Sequence, residues 1–528
     1  MARPAGPVLS SLGPVTLDRA GAEPLHRQLY RALRQAVLDG RLRPGERLPP
    51  SRTLAADWGL SRNTVVTAYD TLLAEGYVTG QVGAGTFVAA SLPDAAPGGG
   101  PARDEARRGV GLSGRGRALA EAPSIARDRV GRPFALGTPD LGAFPFALWA
   151  QLLGRCWRHG GRALATEPDP LGYVPLRAEI AAYLRAVRAV RCEPEQVVIV
   201  SGAQQGLALM AQLLLDPGDE AWVEEPGWPG NRAALLGAGA RLVPVPVDGE
   251  GIDVAAGMAG GAGARLALVT PSHQFPLGVT MSLARRLRLL DWAAARDAWI
   301  VEDDYDSEFR YAGPPLAALQ GLDGAGRVVY VGSFSKVMFP ALRLGYVVVP
   351  PDLVEPVRAA RRHFDGGTSV VPQAALHRFL ADGHFASHLR GMRSLYAAKR
   401  GAILASIADA FAGLASAEAG EAGMHVLLRL PPDCPDHVLA ERAARIGLTT
   451  PSLSGYYRAA DATAGNGLLL GFAAHDPAAL DRAVRDLARL SQAVVADAIR
   501  YRARECLSLP PCDFPHGRVV VGNGPQVK

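Results

Sequence analysis

The stretch Val331–Tyr346 reads VGSFSKVMFPALRLGY and contains one of only three lysines in the chain. Lys and Arg together number 56, so arginine supplies almost every positive charge. A guanidinium stays protonated, whereas a lysine amine can lose its proton and attack a carbonyl. We therefore interpret Lys336 as a reactive group, and we expect Lys399 and Lys528 to be ordinary surface lysines.

Hydroxyl and guanidinium groups lie close to this lysine in the sequence. Ser333 and Ser335 precede Lys336, and Arg343 follows it, just before the apolar run that Gly345 opens. A lysine that forms a Schiff base, with hydroxyls and a guanidinium that hold a phosphate, meets the needs of pyridoxal phosphate (PLP). Serines also cap turns and such an arginine is often solvated, so the pattern becomes specific only with further site residues elsewhere.

Length and composition limit the possible classes of protein. The chain has 528 residues, is 48% hydrophobic and carries a net charge of +5, which predicts two or three domains and permits nucleic-acid binding without requiring it. The five cysteines are scattered without a CxxC pair, which indicates a reducing compartment and no zinc site. We find no signal-like segment and no long apolar run, so we expect a cytoplasmic protein without a membrane span.

The first ninety residues have the periodicity of three helices. An apolar residue at every fourth position predicts the first helix: Leu25, Leu29, Leu33 and Val37. Ser51 is expected to cap a short second helix that Gly59 ends, and Ser61 a third helix that runs to Gly76. The inward face of the third helix is expected to hold Val65, Tyr69, Leu72 and Leu73.

Two short helices joined by a tight turn are the helix-turn-helix pattern, whose second helix enters the major groove of DNA. The run YVTGQVGAGTFVAA then predicts two short strands and a Gly-rich turn, which together resemble a wing. Polar residues at the start of the third helix are of types that read base edges or grip phosphates. They are Ser61, Arg62, Asn63, Thr64 and Thr67. A three-helix interaction module with a polar surface is the alternative.

Residues 23–89 also carry the motifs LxPGxxLPxSRxLA, SRxTVxxAY and EGYxxxxxGxGTFV. In these motifs the chain resembles the winged helix of the GntR family of bacterial transcription regulators. The resemblance implies that Arg52 and Arg62 lie at the DNA. Pro50 departs from the pattern, because a serine is common there.

The rest of the chain divides by composition. Residues 91–132 have few large apolar side chains and many Gly, Pro, Ala and Arg, which predicts a flexible linker after a DNA-binding domain at 1–90. Strand-like runs alternate with helical ones over 133–500, which predicts an α/β domain with a mainly parallel sheet. Residues 501–528 show no periodicity and are expected to be a disordered tail.

Several candidate residues follow apolar runs of this domain, where α/β sheets bind their ligands. The turn SGAQQG at 201–206 suits a phosphate, although a plain strand–helix turn also uses glycine. Trp228 is either a stacking or a packing residue. Asp303 would keep a pyridine nitrogen protonated, and Tyr305 would reach the ring oxygen. The acidic cluster around Asp303 also fits a Mg²⁺ site, which nothing else in the sequence supports.

The segments SGAQQG, EEPGWP, TPSHQFPLG, EDDYDSEFRY and GSFSKVMFPALRLGY resemble the fold-type I aminotransferases. Together with the winged helix they make nearly the whole chain similar to the MocR subgroup of GntR regulators. The resemblance implies a fold-type I domain with a smaller C-terminal α/β subdomain, PLP as cofactor and a head-to-tail homodimer. It assigns Lys336 to the internal aldimine, Asp303 to the pyridinium, Tyr305 to the ring oxygen and Trp228 to ring stacking.

The same resemblance assigns the phosphate to the Ala203 and Gln204 backbone, with Ser333, Ser335 and Arg343. Tyr173, in the loop LGY before PLR, is assigned to a segment that approaches the cofactor of the neighbouring subunit.

Two departures bear on the function. Phe275 stands where aminotransferases commonly have the asparagine of NPxNPTG, and Leu469 stands where an arginine often clamps an α-carboxylate. Both changes favour regulation over turnover. Our main hypothesis is a PLP-dependent regulator that binds operator DNA and senses PLP, an amine or an amino acid. The alternatives are an active aminotransferase with an appended DNA-binding domain, and a DNA-binding protein whose large domain only dimerises.

Overall fold

The computed structural model describes residues 17–19, 21–81, 84–92, 111–122, 131–311, 313, 316–418, 420–458 and 465–508. The chain forms two compact units, Met1–Gly111 and Leu112–Lys528, which we describe separately.

The N-terminal unit contains the expected helices and wing: α1 (Leu25–Leu38), α2 (Ser51–Trp58), α3 (Arg62–Ala74), β1 (Val78–Gln81) and β2 (Gly85–Val88). β1 and β2 are antiparallel, with Val78 opposite Val88. Leu29 and Leu33 of α1 pack against Val65 of α3 in a fully buried core. The Leu73 side chain is 48% exposed, so its predicted place in the core is wrong, and Ala68 lies there instead.

Both ends of the turn between α2 and α3 have a recognisable cap. Gly59 ends α2 in the left-handed conformation with φ +59°, as its position predicted. Ser61 caps α3, and its Oγ accepts a hydrogen bond from the Thr64 N–H at 3.1 Å. Ser51 was expected to cap α2 but is its first helical residue, because Pro50 occupies the capping position without a side-chain bond.

The larger unit is built on an eight-stranded sheet. Its strands in chain order are β3 (Val197–Val200), β4 (Glu220–Glu225), β5 (Arg241–Asp248), β6 (Gly251–Ile252), β7 (Leu266–Val269), β8 (Trp299–Asp304), β9 (Val328–Ser333) and β10 (Gly345–Val348). Their order across the sheet is β3-β10-β9-β8-β7-β4-β5-β6. β5, β4, β7, β8 and β9 pair in parallel, whereas β10 runs antiparallel to both β3 and β9. The sheet is therefore mainly parallel, as predicted.

Helices surround this sheet and continue into a smaller C-terminal subdomain. They are α4 (Gly114–Glu121), α5 (Phe146–Leu164), α6 (Val174–Arg188), α7 (Ala203–Leu214), α8 (Pro229–Ala238), α9 (Val254–Gly260), α10 (Leu283–Arg296), α11 (Leu319–Leu322), α12 (Val354–Phe364), α13 (Val370–Ala381), α14 (His384–Ala410), α15 (Asp436–Arg445) and α16 (Pro477–Ser508). Short 3₁₀ turns lie at Leu141–Ala143, Pro194–Gln196, Pro340–Leu342, Pro351–Leu353 and Ser454–Tyr456. The subdomain sheet is antiparallel and contains β11 (Ser416–Glu418), β12 (His425–Arg429) and β13 (Gly467–Gly471).

The central sheet is buried on both faces, because successive side chains of a strand point to opposite sides. Val198 and Val200 of β3 pack into one apolar cluster with α7, whereas Val197 and Ile199 join the cluster on the other face. A strand buried on both sides reads as a continuous apolar run, which is why VVIV was recognisable in the sequence.

Three further sequence expectations need correction. Helix α4 lies within the segment 91–132 and packs against α8, so the expectation of a flexible linker fails for residues 111–122. Helix α16 continues to Ser508, so the expected disordered tail begins with helix, and residues 509–528 lie outside the described part. Lys399 is buried in α14, where its amine donates to Asp140 at 2.8 Å and to the Ala473 carbonyl at 2.7 Å.

Within the described ranges, no helix is both long and apolar enough to cross a bilayer.

Candidate functional site

The predicted site residues come together at one edge of the central sheet. The carboxyl ends of β4, β8 and β9 lie at the same edge because these strands are linked by parallel pairing through β7. β3 points the same way as β9, since both are antiparallel to β10. Asp303 in β8, Ser333 at the end of β9 and Ser201 just after β3 therefore lie at this edge.

The Lys336 amine occupies a space that glycine leaves open. Its Nζ donates to the Gly137 carbonyl at 3.1 Å. A Cβ built on Gly137 would lie 1.9 Å from that nitrogen, and Gly137 has a φ of +59°. A side chain at position 137 would therefore displace the amine, so the observed position of Lys336 requires a glycine at residue 137.

Gly202, the first turn of α7 and Arg343 form a candidate anion-binding cradle at the same sheet edge. Gly202, with φ +97°, precedes the twelve-residue helix α7, whose first turn includes Ala203 and Gln204 and presents N–H groups that the helix does not use. Arg343 adopts a left-handed conformation with φ +52° and donates to the Ser201 carbonyl at 2.6 Å. A Cβ built on Gly202 would meet the Arg343 guanidinium at 3.3 Å, so this cation lies directly against the turn before α7.

The two predicted serines and the Gln204 side chain have local partners. The Ser335 N–H donates to Ser333 Oγ at 3.2 Å, which fixes one hydroxyl in the turn after β9. The Gln204 side chain donates to the Gly230 carbonyl at 2.8 Å, so it ties α7 to the segment that carries Trp228. Its backbone was the predicted contact, and this side-chain bond leaves that prediction open.

Asp303 is a buried carboxylate without a full set of partners. Among the residues that the structure describes, its Oδ1 has no hydrogen-bond partner, although Asn231 donates a hydrogen bond to the carboxylate. Burial, followed by the neighbouring Asp304, raises the pKa of Asp303 to about 7. Asn231 was missed in the sequence, although it follows Trp228 by three residues on the first turn of α8 and so belongs to the same site.

Apolar side chains fill the region around Trp228. The Trp228 ring meets Phe275 edge-on at 5.1 Å, and Phe275 also contacts Tyr305 and Tyr456 at 6.0 and 5.2 Å between ring centroids. Leu469, which is fully buried, belongs to the same cluster. The two positions that departed from the aminotransferase pattern thus lie together in one apolar cluster.

Tyr305 is held by a polar pair that the sequence did not reveal. Its hydroxyl lies 2.9 Å from His273 Nδ1, and the same nitrogen lies 3.1 Å from Asp306 Oδ1. Burial, reinforced by Asp306, raises the pKa of Tyr305 well above its ordinary value. His425 lies next to His273, and burial lowers the pKa of His425 to about 4.

The acidic cluster that suggested a magnesium alternative is divided among different partners. Glu302 accepts the backbone N–H groups of Leu319 and Gln320, both at 2.9 Å. Asp304 pairs with Arg188 at 2.9 Å. Among the residues that the structure describes, no group of three or more side chains could hold a metal ion.

Tyr173 lies at the N-terminus of α6. Its N–H donates to Gln373 Oε1 at 2.8 Å, and its ring meets His377 at 6.0 Å. Its predicted role at a neighbouring subunit's cofactor stays a prediction.

The start of α3 forms the candidate nucleic-acid interface. Arg62, Asn63 and Thr67 are exposed, as is Arg52 on α2. The Ser61 and Thr64 hydroxyls bond to each other at 2.8 Å, and Thr64 is half-buried. These two residues therefore build the start of the helix, whereas the exposed ones remain available for contacts.

Comparison with known families supports this two-part organisation. The family described as "Bacterial regulatory proteins, gntR family" matches residues 25–88, and "Aminotransferase class I and II" matches residues 137–487.

Individual proteins with the same organisation are known. The probable rhizopine catabolism regulatory protein MocR of Rhizobium meliloti is 42% identical over 90% of this chain and 95% of its own. The pyridoxine biosynthesis transcriptional regulator PdxR of Corynebacterium glutamicum is 32% identical over 92% and 98%. Among solved structures, the α-aminoadipate aminotransferase LysN of Thermus thermophilus, complexed with N-(5'-phosphopyridoxyl)-L-leucine, has a TM-score of 0.65 and 28% identity and covers 72% of this chain and 97% of its own.

Proposed function

Because the chain belongs to the MocR-type regulators of the bacterial gntR family, we propose that it regulates transcription by binding operator DNA and PLP. The winged helix reads the operator, and the aminotransferase-like domain senses PLP or a small amine or amino acid. Such a protein acts in the cytoplasm as a head-to-tail homodimer.

The observation that carries this proposal is the convergence of three different groups at one sheet edge. PLP has an aldehyde, a ring nitrogen and a phosphate. The edge offers the Lys336 amine, an Asp303 oxygen without a hydrogen-bond partner in the described ranges, and the Arg343 guanidinium beside the start of α7. Each group of PLP has a complementary partner, so the residues fit the cofactor.

Each residue contributes a distinct interaction. When bound, PLP supplies a carbonyl that exchanges between amines and a ring that withdraws electrons. Lys336 would hold the aldehyde covalently, and Asp303 would keep the ring nitrogen protonated. Arg343 and the first turn of α7 bind the phosphate, with Ser333 and Ser335 beside them. Trp228 stacks on the ring.

An effector amine acts by changing the charge at this edge. If another amine displaced Lys336 from bound PLP, the lysine would become an ammonium in a half-buried position at this sheet edge. Such a change favours one domain arrangement over another only if the two differ in their affinity for the ligand. Regulation of DNA binding then follows from that difference in affinity.

The apolar cluster supports regulation over turnover. Phe275 and Leu469 supply no hydrogen bond or positive charge for an amino acid's carboxylate. A transaminase needs its substrate oriented against the cofactor, and these positions offer only apolar surface.

Cofactor attachment is tested by absorbance of the full-length protein after incubation with PLP. The wild type is expected to show the visible band of a lysine-bound PLP, and Lys336→Ala is expected to lack it. Lys528→Ala is the matched control and should keep the band. Persistence of the band in Lys336→Ala would show that the cofactor is attached elsewhere.

DNA recognition is tested with duplexes selected from a random pool by the full-length protein. We expect Arg62→Ala to weaken binding of the selected duplex, by about 1–3 kcal/mol if the guanidinium reads a base. Arg31→Ala, which removes an exposed arginine of α1, should leave the affinity near that of the wild type. Equal losses in both variants would refute specific readout by α3.

A further inference from the structure

The imidazole of His273 lies between the Tyr305 hydroxyl and the Asp306 carboxylate at the sheet edge. Its Nδ1 lies 2.9 Å from the Tyr305 hydroxyl and 3.1 and 3.2 Å from the two Asp306 oxygens. The ring is 3% exposed. A Cβ built on Gly423 would lie 2.1 Å from its Cε1, and one built on Gly278 would lie 3.2 Å from its Nε2. The ring can occupy this position because residues 423 and 278 are glycines without side chains. The close packing around the ring restricts its rotation.

One nitrogen cannot serve both neighbours in the same way. If Nδ1 carries the proton, it donates to Asp306 and has no lone pair that can accept the Tyr305 O–H. If Nδ1 is unprotonated, it accepts the Tyr305 O–H, and the Asp306 carboxylate loses its donor. Since a buried carboxylate is stabilised strongly by a hydrogen bond, Asp306 favours the tautomer with the proton on Nδ1.

We propose that His273 and Asp306 are positioning residues that keep the Tyr305 hydroxyl proton available to the ring oxygen of bound PLP. Asp306 fixes the proton on His273 Nδ1, so Tyr305 cannot donate to the imidazole and donates to the cofactor instead. This inference rests on the proposed function, because it requires PLP at the sheet edge.

Other charged groups surround the pair but do not take over its role. His425 of β12 lies 5.4 Å from His273 between ring centroids, and its Nε2 lies 3.3 Å from the Pro276 carbonyl, which can only accept. Lys336 lies near enough to lower the pKa of His425. Asp303, Glu224 and Asp304 act on Tyr305 through their negative charge, which helps to raise the pKa of its hydroxyl. Within the described part of the chain, the hydrogen bond of the Tyr305 hydroxyl that bears on this inference is the one to His273 Nδ1 at 2.9 Å.

The test is a pH titration of the visible absorbance of full-length protein loaded with PLP. A hydrogen bond donated to the ring oxygen competes with the proton that this oxygen shares with the Schiff-base nitrogen, so its loss raises the pH midpoint. Tyr305→Phe is expected to raise the midpoint by about one pH unit. Asp306→Asn should raise the midpoint as well. The amide can donate to Nδ1, so Nδ1 is left unprotonated and accepts a hydrogen bond from the Tyr305 hydroxyl.

Two further variants separate this mechanism from a general disturbance of the site. The double variant Tyr305→Phe/Asp306→Asn should shift no further than Tyr305→Phe alone, because Asp306 acts only through the phenol. His273→Asn places an amide donor near the position of Nδ1 and should keep the midpoint close to that of the wild type, whereas His273→Leu should raise it.

An Asp306→Asn protein that binds PLP with an unchanged midpoint would overturn the inference, as would fully additive shifts in the double variant. If the wild type forms no visible band with PLP, the proposed function itself fails. If the band forms and only Tyr305→Phe shifts it, the proposed function stands and the role of His273 and Asp306 is refuted.

Discussion

Replacement of Asp303 by asparagine is expected to have opposite effects on the PLP-free and PLP-bound proteins. The substitution keeps the shape of the side chain and removes a charge that lacks a full set of partners. Without PLP, burial raises the pKa of this carboxyl from 3.8 to about 7. The charged carboxylate therefore destabilises the folded state in the absence of a positive partner.

The magnitude and the pH dependence follow from this shift. Well below pH 3.8 the carboxyl is neutral in both the folded and the unfolded state and does not affect the free energy of unfolding. The cost grows as the pH rises through the unfolded pKa and reaches its full value above the folded pKa of about 7. A shift of this size corresponds to roughly 4 kcal/mol at pH 8 and roughly 2 kcal/mol at pH 5. Asp303→Asn should recover this free energy in the PLP-free protein.

The assay is the melting temperature of the full-length protein with and without PLP, at pH 5 and pH 8. For a unit of this size a gain of roughly 4 kcal/mol corresponds to about 5 °C. With PLP the order should reverse: the ring nitrogen loses its anionic partner, and the Kd for PLP should rise about 10- to 100-fold.

Asp304→Asn is the matched control, since this neighbouring carboxylate is equally buried but paired with Arg188 at 2.9 Å. Its removal leaves a buried guanidinium unpaired and should cost roughly 3–5 kcal/mol in both states. If Asp303→Asn lowers the melting temperature of the PLP-free protein at pH 8 as Asp304→Asn does, the assignment of an uncompensated charge to Asp303 is wrong.

Two further predictions concern the lysine and the cradle. Gly137→Ala should abolish the visible band of bound PLP, because its Cβ would fall 1.9 Å from the Lys336 amine. Gly131→Ala is the control: it has a similarly positive φ but open space around it, so it should cost only about 1–2 kcal/mol of stability and keep the band. Arg343→Lys should weaken PLP binding about tenfold, measured by titration of the absorbance, because a lysine cannot contact the Ser201 carbonyl and a phosphate with a rigid fork. An unchanged band in Gly137→Ala, or an unchanged Kd in Arg343→Lys, would contradict these roles.

The parts of the fold that depend on neighbours in sequence were predictable. Gly59 and Ser61 mark the turn before α3 because left-handed conformation and capping are properties of single residues. The apolar run VVIV of β3 identified a buried strand for the same reason. Leu73 was misplaced because a helix turns about 100° per residue, so the neighbour of buried Leu72 points outward.

The errors arose where residues far apart in the chain meet. The hydrogen bond of Lys399 reaches Asp140, 259 residues away, so an apparently ordinary surface lysine is buried. His273 and Asp306 are 33 residues apart, and although both lie in segments that the sequence singled out, TPSHQFPLG and EDDYDSEFRY, nothing in either segment shows that the two side chains meet. Lys336 and Asp303 were recognisable as candidates because each follows or ends an apolar run, whereas their contacts with Gly137 and Asn231 depend on tertiary packing.

Because lysine is scarce in this chain, cleavage by a lysine-specific protease can report on the state of the Lys336 amine. The lysines of the 528 residues are Lys336, Lys399 and Lys528, so a lysine-specific protease acting on the denatured chain has few sites, and the first two lie 63 residues apart. Borohydride reduction of the PLP-loaded protein would make the bond between PLP and Lys336 permanent. The protease could then no longer cut after residue 336, so residues 1–336 and 337–399 would migrate as one band. Cofactor occupancy would then be readable on an ordinary gel, without spectroscopy and without knowledge of the operator.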